Sequence, residues 1–415
     1  MTLLADLLST VFERRSYFGS SGKWDDRSVA MLADELVGGN GEVSGRALAR
    51  QILDRFTAFE DAQKVEFFRH LALNMDIDAE AVRTTLEAYR AHPDKAGYQA
   101  FMMAAEPRRQ EMIRRLNQVS GATHLLVSMR RDLLRLTKSN PELAPIDVDF
   151  KHLFASWFNR GFLVLRPISW ESPAHILEKI IAYEAVHAID SWGDLKRRLQ
   201  PSDRRCFGFF HPSMPDEPLI FVEVALCKGV PGAIHTVLSD GREPLEAKQA
   251  DTAVFYSISN CQAGLAGISF GNSLIKQVVT DLSLQLPGLK TFVTLSPIPK
   301  LMAWLTRDGR DVPALDDAML KKRAANYLLT AKRSDGLPFD PVARFHLGNG
   351  AIIHAVHSGA DLSANGLAQS GGAMVNYLYD LRRVAQNHER FVGEQDVIAS
   401  SEVRTLSQSA LKSEQ

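Results

Sequence analysis

The stretch DTAVFYSISNCQAGLAGISFGNSLIKQVVTDLSLQLPGLKTFVTLS, from Asp251 to Ser296, decides how the second half of the chain is read. Thr252 to Ile258 is a run of β-branched and aromatic residues of the kind that fills a buried strand. A turn punctuated by Gly264 and Gly267 follows. Leu274, Ile275, Val278, Val279, Leu282 and Leu286 then recur at helical spacing until Pro287 and Gly288 stop the helix. Thr291 to Leu295 is a second apolar strand, closed by Ser296, Pro297 and Pro299. The order strand, glycine loop, helix, strand predicts a right-handed crossover. A loop without bulky side chains at the start of a helix lets backbone N–H groups and the positive end of the helix dipole approach a phosphate. The stretch has neither the Gly-Lys-Ser/Thr of a Walker loop nor GxGxxG. On its own residues it fits a tight strand-to-helix turn as well as a pyrophosphate cradle.

Working outward, 415 residues with 45% hydrophobic and 23% charged side chains are enough for two globular domains. A formal net charge of −1 at pH 7 argues against nucleic acid as a partner. No apolar run reaches the length of a membrane span. Asp6 and Glu13 interrupt the apolar pattern of MTLLADLLSTVFERR, which suits neither a signal nor a transit peptide, so a soluble, cytoplasmic protein is expected. Cys206, Cys227 and Cys261 are too few and too scattered for a disulfide framework or a zinc site.

Residues 1–140 carry helical periodicity almost throughout, as in GRALARQILDRFTAFED and AQKVEFFRHLALNMD, and predict a helical bundle domain. The two prolines of TKSNPELAPIDVD, Thr137 to Asp149, mark a change of texture. Beyond it strands appear at GFLVLRPI, RRCFGFFHP and PLIFVEVALC, alternating with helices such as HILEKIIAYEAVHA and SWGDLKRRL. An α/β domain over 150–400 is expected, with 401–415 as a flexible tail.

Several constellations invite chemistry. Gly267-Ile268-Ser269-Phe270-Gly271 matches the GxSxG nucleophile elbow, with Asp340 and His346 following in hydrolase order. An elbow needs its strand to end at the motif, however, and here CQAGLA intervenes. Ser296 ends a buried strand, where open α/β sheets bind ligands and where a serine before proline also makes a turn. His346, in ARFHLGNGA, is read on a short strand with Phe345 and Leu347 turned to the other side. His354 and His357 stand three apart on a strand-like run, hence on opposite faces, with no further ligand spacing, so no metal site is expected. GGAMVNYLYDLRRVAQNHERF is read as a helix with Met374, Leu378 and Leu381 on one face and Tyr379 offset from it. His211, between a strand and a turn, is a weaker candidate.

Four motifs in order, QAGLAGISFGNSLIK, TLSPIPK, FHLGNGA and MVNYLYDL, resemble malonyl-CoA decarboxylase. The resemblance covers roughly the C-terminal 260 residues closely and the helical part more loosely. It implies a helical N-terminal domain followed by a catalytic domain of the acetyltransferase-like (GNAT) fold, and a role in fatty acid metabolism. Malonyl-CoA would be converted to acetyl-CoA and CO2 without metal or organic cofactor. Ala266, Gly267, Ile268, Ser269, Phe270, Gly271 and Asn272 would hold the CoA arm. The resemblance places Ser296 and His346 as the catalytic pair, with Tyr379 orienting them. Ser296 would hydrogen-bond the malonyl carboxylate or accept a proton, and His346 would protonate the nascent acetyl carbanion. Which of the pair touches which oxygen stays open, and some members of the family carry an acidic residue where Ser269 stands. A homo-oligomer, dimer or tetramer, is expected. A GNAT-type acyltransferase and an acyl-CoA thioesterase are the competing activities, and a non-enzymatic acyl-CoA sensor the competing binding function.

Overall fold

The computed structural model describes residues 26–412 apart from 40, 269, 271–273 and 308–315. The chain separates into two compact units. The first holds the described residues up to Leu126 together with Leu133–Asp149, and the second holds Val127–Asp132 and the described residues from Phe150 onward.

The first unit is helical, from Val29–Val37 through Arg108–Leu116 to parts of Ala122–Leu136 and Ala144–Trp157. Its helices begin where short polar side chains can satisfy the free N–H groups of a first turn. Ser28 accepts from Met31 N, Asp78 from Glu80 N and Ala81 N, and Glu60 with Gln63 forms a reciprocal capping box. Leu32, Leu36, Ile52, Phe68, Leu71, Met112, Ile113 and Leu116 build its core. Arg109 is buried there against Asp149 and lies 2.9 Å from Asp76, so the guanidinium is desolvated and paired at once.

The second unit is built on an eight-stranded mixed sheet. In chain order its strands are β1 (Val164–Ile168), β2 (Arg204–His211), β3 (Met214–Cys227), β4 (Thr252–Asn260), β5 (Thr291–Thr294), β6 (Ser296–Pro297), β7 (Ile352–His357) and β8 (Met374–Leu378). They lie side by side as β1-β2-β3-β4-β5-β8-β6, with β7 also on β8. The first four pair antiparallel, β4 and β5 pair parallel across the Leu274–Gln285 helix, and β8 pairs antiparallel with β5, β6 and β7. This is an α/β unit on a mixed sheet that follows an all-α part, as expected.

The sheet opens at one place. β4 and β5 are paired from Thr252↔Thr291 to Phe255↔Thr294 and no further. Beyond that point β4 runs on to Asn260, while the chain after β5 turns to pair Ser296 with Val375 on β8. The strands therefore diverge at their carboxyl ends. A register shift against β3, between Glu223↔Ser257 and Val224↔Phe255, makes Tyr256 the extra residue of a bulge at that divergence.

Three expectations are corrected. His346 lies on a helix, Pro341–Gly348, not on a strand: Asp340 caps it by accepting from Val342 N and Ala343 N, and Pro341 supplies the fixed φ of a first helical position. Met374–Leu378 is a strand, not the start of a helix; the helix begins only at Val384. Its backbone bonds go to three neighbouring strands, which overrides the helical spacing of Met374, Leu378 and Leu381. Finally, Ser401–Lys412 is a helix with Val403 and Ala410 buried, where a frayed tail was expected.

Candidate active site

Ser296 opens β6 one residue after β5 ends, and strand alternation puts it on the same side as Thr294 two residues earlier. Its Oγ is 2.8 Å from Thr294 Oγ1 and 3.2 Å from His346 Nε2. The other ring nitrogen, Nδ1, is 2.8 Å from the Tyr379 hydroxyl. Tyr379 follows β8 and is anchored by its N–H to Phe292 O at 2.9 Å. Tyr377, two residues earlier and so on the same side, stacks on the imidazole with ring centroids 4.5 Å apart at 24°. The pair Ser296–His346 and the tyrosine expected beside it are thus in direct hydrogen-bond contact.

All of these groups are buried. Burial pushes His346 down to about 3 and both Tyr377 and Tyr379 well above their ordinary range, because a charged ring or phenolate would forfeit its hydration. His346 is therefore a neutral imidazole at neutral pH.

A cavity of about 240 Å³ opens where β4 and β5 part. Phe255, Tyr256, Ile258 and Asn260 form one wall; Ser296, Pro297 and His346 form the other, with Pro341, Val342 and Phe345 of the capped helix and Val186 at the rim. Val186 is held there by Glu184, whose Oε1 accepts from the N–H groups of Val186 and His187 at 2.8 Å while Oε2 accepts from Ser257 Oγ at 2.7 Å. Among the described residues that line it, none carries a carboxylate, ammonium or guanidinium. The cavity offers a hydroxyl, an imidazole and an amide among apolar walls.

The glycine turn lies at the end of β4 and is braced from within the same unit. Arg130, fully buried, donates to Gly264 O at 2.7 Å and to Ala266 O at 2.9 Å. A Cβ at Gly264 would stand 1.9 Å from Val127 O, so only glycine lets the turn seat against that segment. Gly267 has φ +74°, a left-handed conformation, with open space around it apart from Lys151 Cε at 3.7 Å. Its role is conformational.

The hydrolase arrangement is not assembled around His346. Asp340 spends its carboxylate on the helix cap and on the Tyr327 hydroxyl at 3.3 Å, and the ring nitrogen a triad aspartate would hold faces Tyr379 instead. His211 is a structural residue: Nε2 donates to Trp157 O and Nδ1 accepts from Ser213 N, each at 3.1 Å.

Comparison with known proteins gives the arrangement its context. The profile of the malonyl-CoA decarboxylase C-terminal domain matches residues 161–315 and 312–415, and that of the family's N-terminal domain matches 75–158. The chain belongs to the malonyl-CoA decarboxylase family. That family's enzymes are carboxy-lyases. The mitochondrial malonyl-CoA decarboxylase of Anser anser anser is 33% identical over 72% of this chain and 69% of its own length. That of Rattus norvegicus is 29% identical over 84% of this chain and 82% of its own. The crystal structure of malonyl-CoA decarboxylase from Rhodopseudomonas palustris superposes with a TM-score of 0.85 at 48% identity, covering 91% of this chain and 98% of that one. The structure from Agrobacterium vitis gives 0.85 at 47% identity, with coverage of 91% and 99%.

Of the loop expected to hold CoA in this family, Ala266 and Gly267 are exposed, Ile268 is buried and Phe270 half-buried, while Ser269, Gly271 and Asn272 lie outside the described residues. Sequence reasoning missed Thr294, Tyr377, Tyr256, Asn260 and Arg130. The first two stand two residues before Ser296 and Tyr379, a period-two signal that becomes legible once both segments are recognised as strands. Nothing local to Arg130 distinguishes it from a solvated helix arginine.

Proposed function

We infer that this chain converts malonyl-CoA to acetyl-CoA and CO2, with Ser296 and His346 as the pair that handles the acyl end. One observation carries the reading: a hydroxyl and a neutral imidazole in contact at the wall of a cavity whose described lining bears no formal charge. Decarboxylation moves the electron pair of the scissile C–C bond into the neighbouring thioester carbonyl, giving an enolate and neutral CO2. A carboxylate in a cavity whose described lining offers it no cation is poorly solvated, and leaving as CO2 relieves that. The enolate carbon then needs one proton. His346 supplies it from Nε2, the ring nitrogen that faces the cavity beside Ser296. Ser296 aligns the ring beside the acyl end. Tyr379 holds the far nitrogen. The Ala266 to Asn272 loop binds the CoA arm through backbone N–H groups.

The same reading places the enzyme in the cytoplasm as a homo-oligomer. The support for a reducing compartment is that Cys206, Cys227 and Cys261 are all free thiols. Among the described residues no helix is long and apolar enough to cross a membrane.

Steady-state turnover of malonyl-CoA without added metal tests the assignment. Ser296→Ala and His346→Ala are each expected to lower kcat on the order of 10²-fold or more, the scale of a placed acid or single oxyanion donor. Either variant turning over like the wild type would overturn the pair.

A further inference from the structure

Thr294, the first residue of TLSPIPK, to which the resemblance assigns no role, is fully buried beside Ser296. Its Oγ1 accepts from Ser296 Oγ at 2.8 Å and from Tyr377 N at 3.1 Å, which fills both of its lone pairs. A serine hydroxyl has one proton. With that proton on Thr294, the 3.2 Å contact between Ser296 and His346 is a hydrogen bond only if Nε2 carries the hydrogen and donates it. The opposite nitrogen of the neutral ring is then bare, and the Tyr379 hydroxyl at 2.8 Å donates to it.

We propose that Thr294 is a positioning residue that fixes the tautomer of His346, by directing the chain Tyr379 O–H to Nδ1, Nε2–H to Ser296 and Ser296 O–H to Thr294. The proposal rests on the decarboxylase reading for its catalytic consequence, though not for the hydrogen-bond direction. A neutral imidazole that gives up its only ring proton would become an imidazolate unless the other nitrogen gains one. The chain supplies it: Nε2–H breaks as the C–H bond of the product forms, and the Tyr379 O–H breaks as Nδ1–H forms, so the negative charge passes from the enolate, whose carbon is a stronger base than even a buried phenolate, to Tyr379. The ring is thereby left as the other neutral tautomer. Solvent then reprotonates Nε2 while the Nδ1 proton returns to the phenolate, and the site is reset.

The test uses the full chain labelled with ¹⁵N at histidine, the His346 resonances being those absent from His346→Gln. In the wild type, Nε2 is expected to be protonated and Nδ1 bare. Thr294→Val keeps the shape of the side chain but removes the acceptor, so the Ser296 hydroxyl turns to Nε2 and the ring proton moves to Nδ1. kcat should fall about 10²-fold, the scale of a positioned general acid, with KM little changed. Thr294→Ser restores both the Nε2–H pattern and turnover. A wild-type ring protonated on Nδ1 overturns the proposal by itself, whether or not Thr294→Val folds. So does a folded Thr294→Val with an unmoved ring proton or undiminished kcat. A wild type that shows Nε2–H but releases no CO2 from malonyl-CoA would instead overturn the function and leave the hydrogen-bond direction standing.

Discussion

His346 is buried, and at the scale of single residues that fact determines what kind of acid it can be. Burial holds it down at about 3, against an ordinary histidine value near 6.5. A donor of the imidazolium type would lose activity as pH rises through its pKa, because the proton it must give is already gone. A donor that works as the neutral ring loses nothing there. kcat is therefore expected to show no descending limb between roughly pH 5.5 and 8, the range in which an unperturbed histidine titrates. A fall in kcat with an apparent pKa near 6.5 that disappears in His346→Gln would contradict the neutral-donor assignment. At this scale the sequence was informative about identities and silent about partners. Ser296, His346 and Tyr379 were picked out by their motifs, and they stand in hydrogen-bond contact. Thr294 and Tyr377 lie in the same motifs but were given no role, because what matters in them is one Oγ1 acceptor and one ring face supplied across strands.

Elements decide where those residues meet. The site exists because β4 and β5 stop pairing after Phe255↔Thr294 and leave a wedge between their carboxyl ends. The apolar character of both strands was plain in the sequence, but their divergence depends on β8 drawing the chain away at Ser296↔Val375, a contact between residues 79 apart in number. The same long-range pairing explains the misreading of Met374–Leu378 as helix. The Pro341–Gly348 helix was misread for a different reason. Its start signal, Asp340 followed by Pro341, was present but outweighed by the glycines after it. The glycine turn gives a prediction at this scale. Arg130 is the brace for Gly264 O and Ala266 O. In Arg130→Met two carbonyls lose charge-assisted bonds worth about 1.5–3 kcal/mol each. Thermal unfolding should show a clear loss of stability, and KM for malonyl-CoA should rise more than kcat falls. A variant with wild-type KM would remove the brace from the account of CoA binding.

For the whole molecule, composition indicated two units and the texture change at Thr137–Asp149 indicated a boundary, yet the division is not a single cut. Val127–Asp132, from the middle of the Ala122–Leu136 helix, counts with the sheet-bearing unit, and it carries Arg130. A truncation placed at the proline-containing stretch would therefore take from the second unit a segment it packs on. A surface helix arginine and a buried one look alike in sequence, so this could not be read beforehand. The exposed-looking C-terminal stretch failed similarly: the buried face of Ser401–Lys412 has one large apolar residue, Val403, with Ser407 and Ala410 as the other shielded positions. What the entire chain is held to do is break one C–C bond and make one C–H bond, with the thioester left intact. Mass analysis of the product formed from malonyl-CoA in heavy water tests this directly. The account predicts acetyl-CoA carrying a single deuteron in its methyl group, formed at the rate of malonyl-CoA loss. Free CoA appearing at that rate, or acetyl-CoA without deuterium, would contradict it.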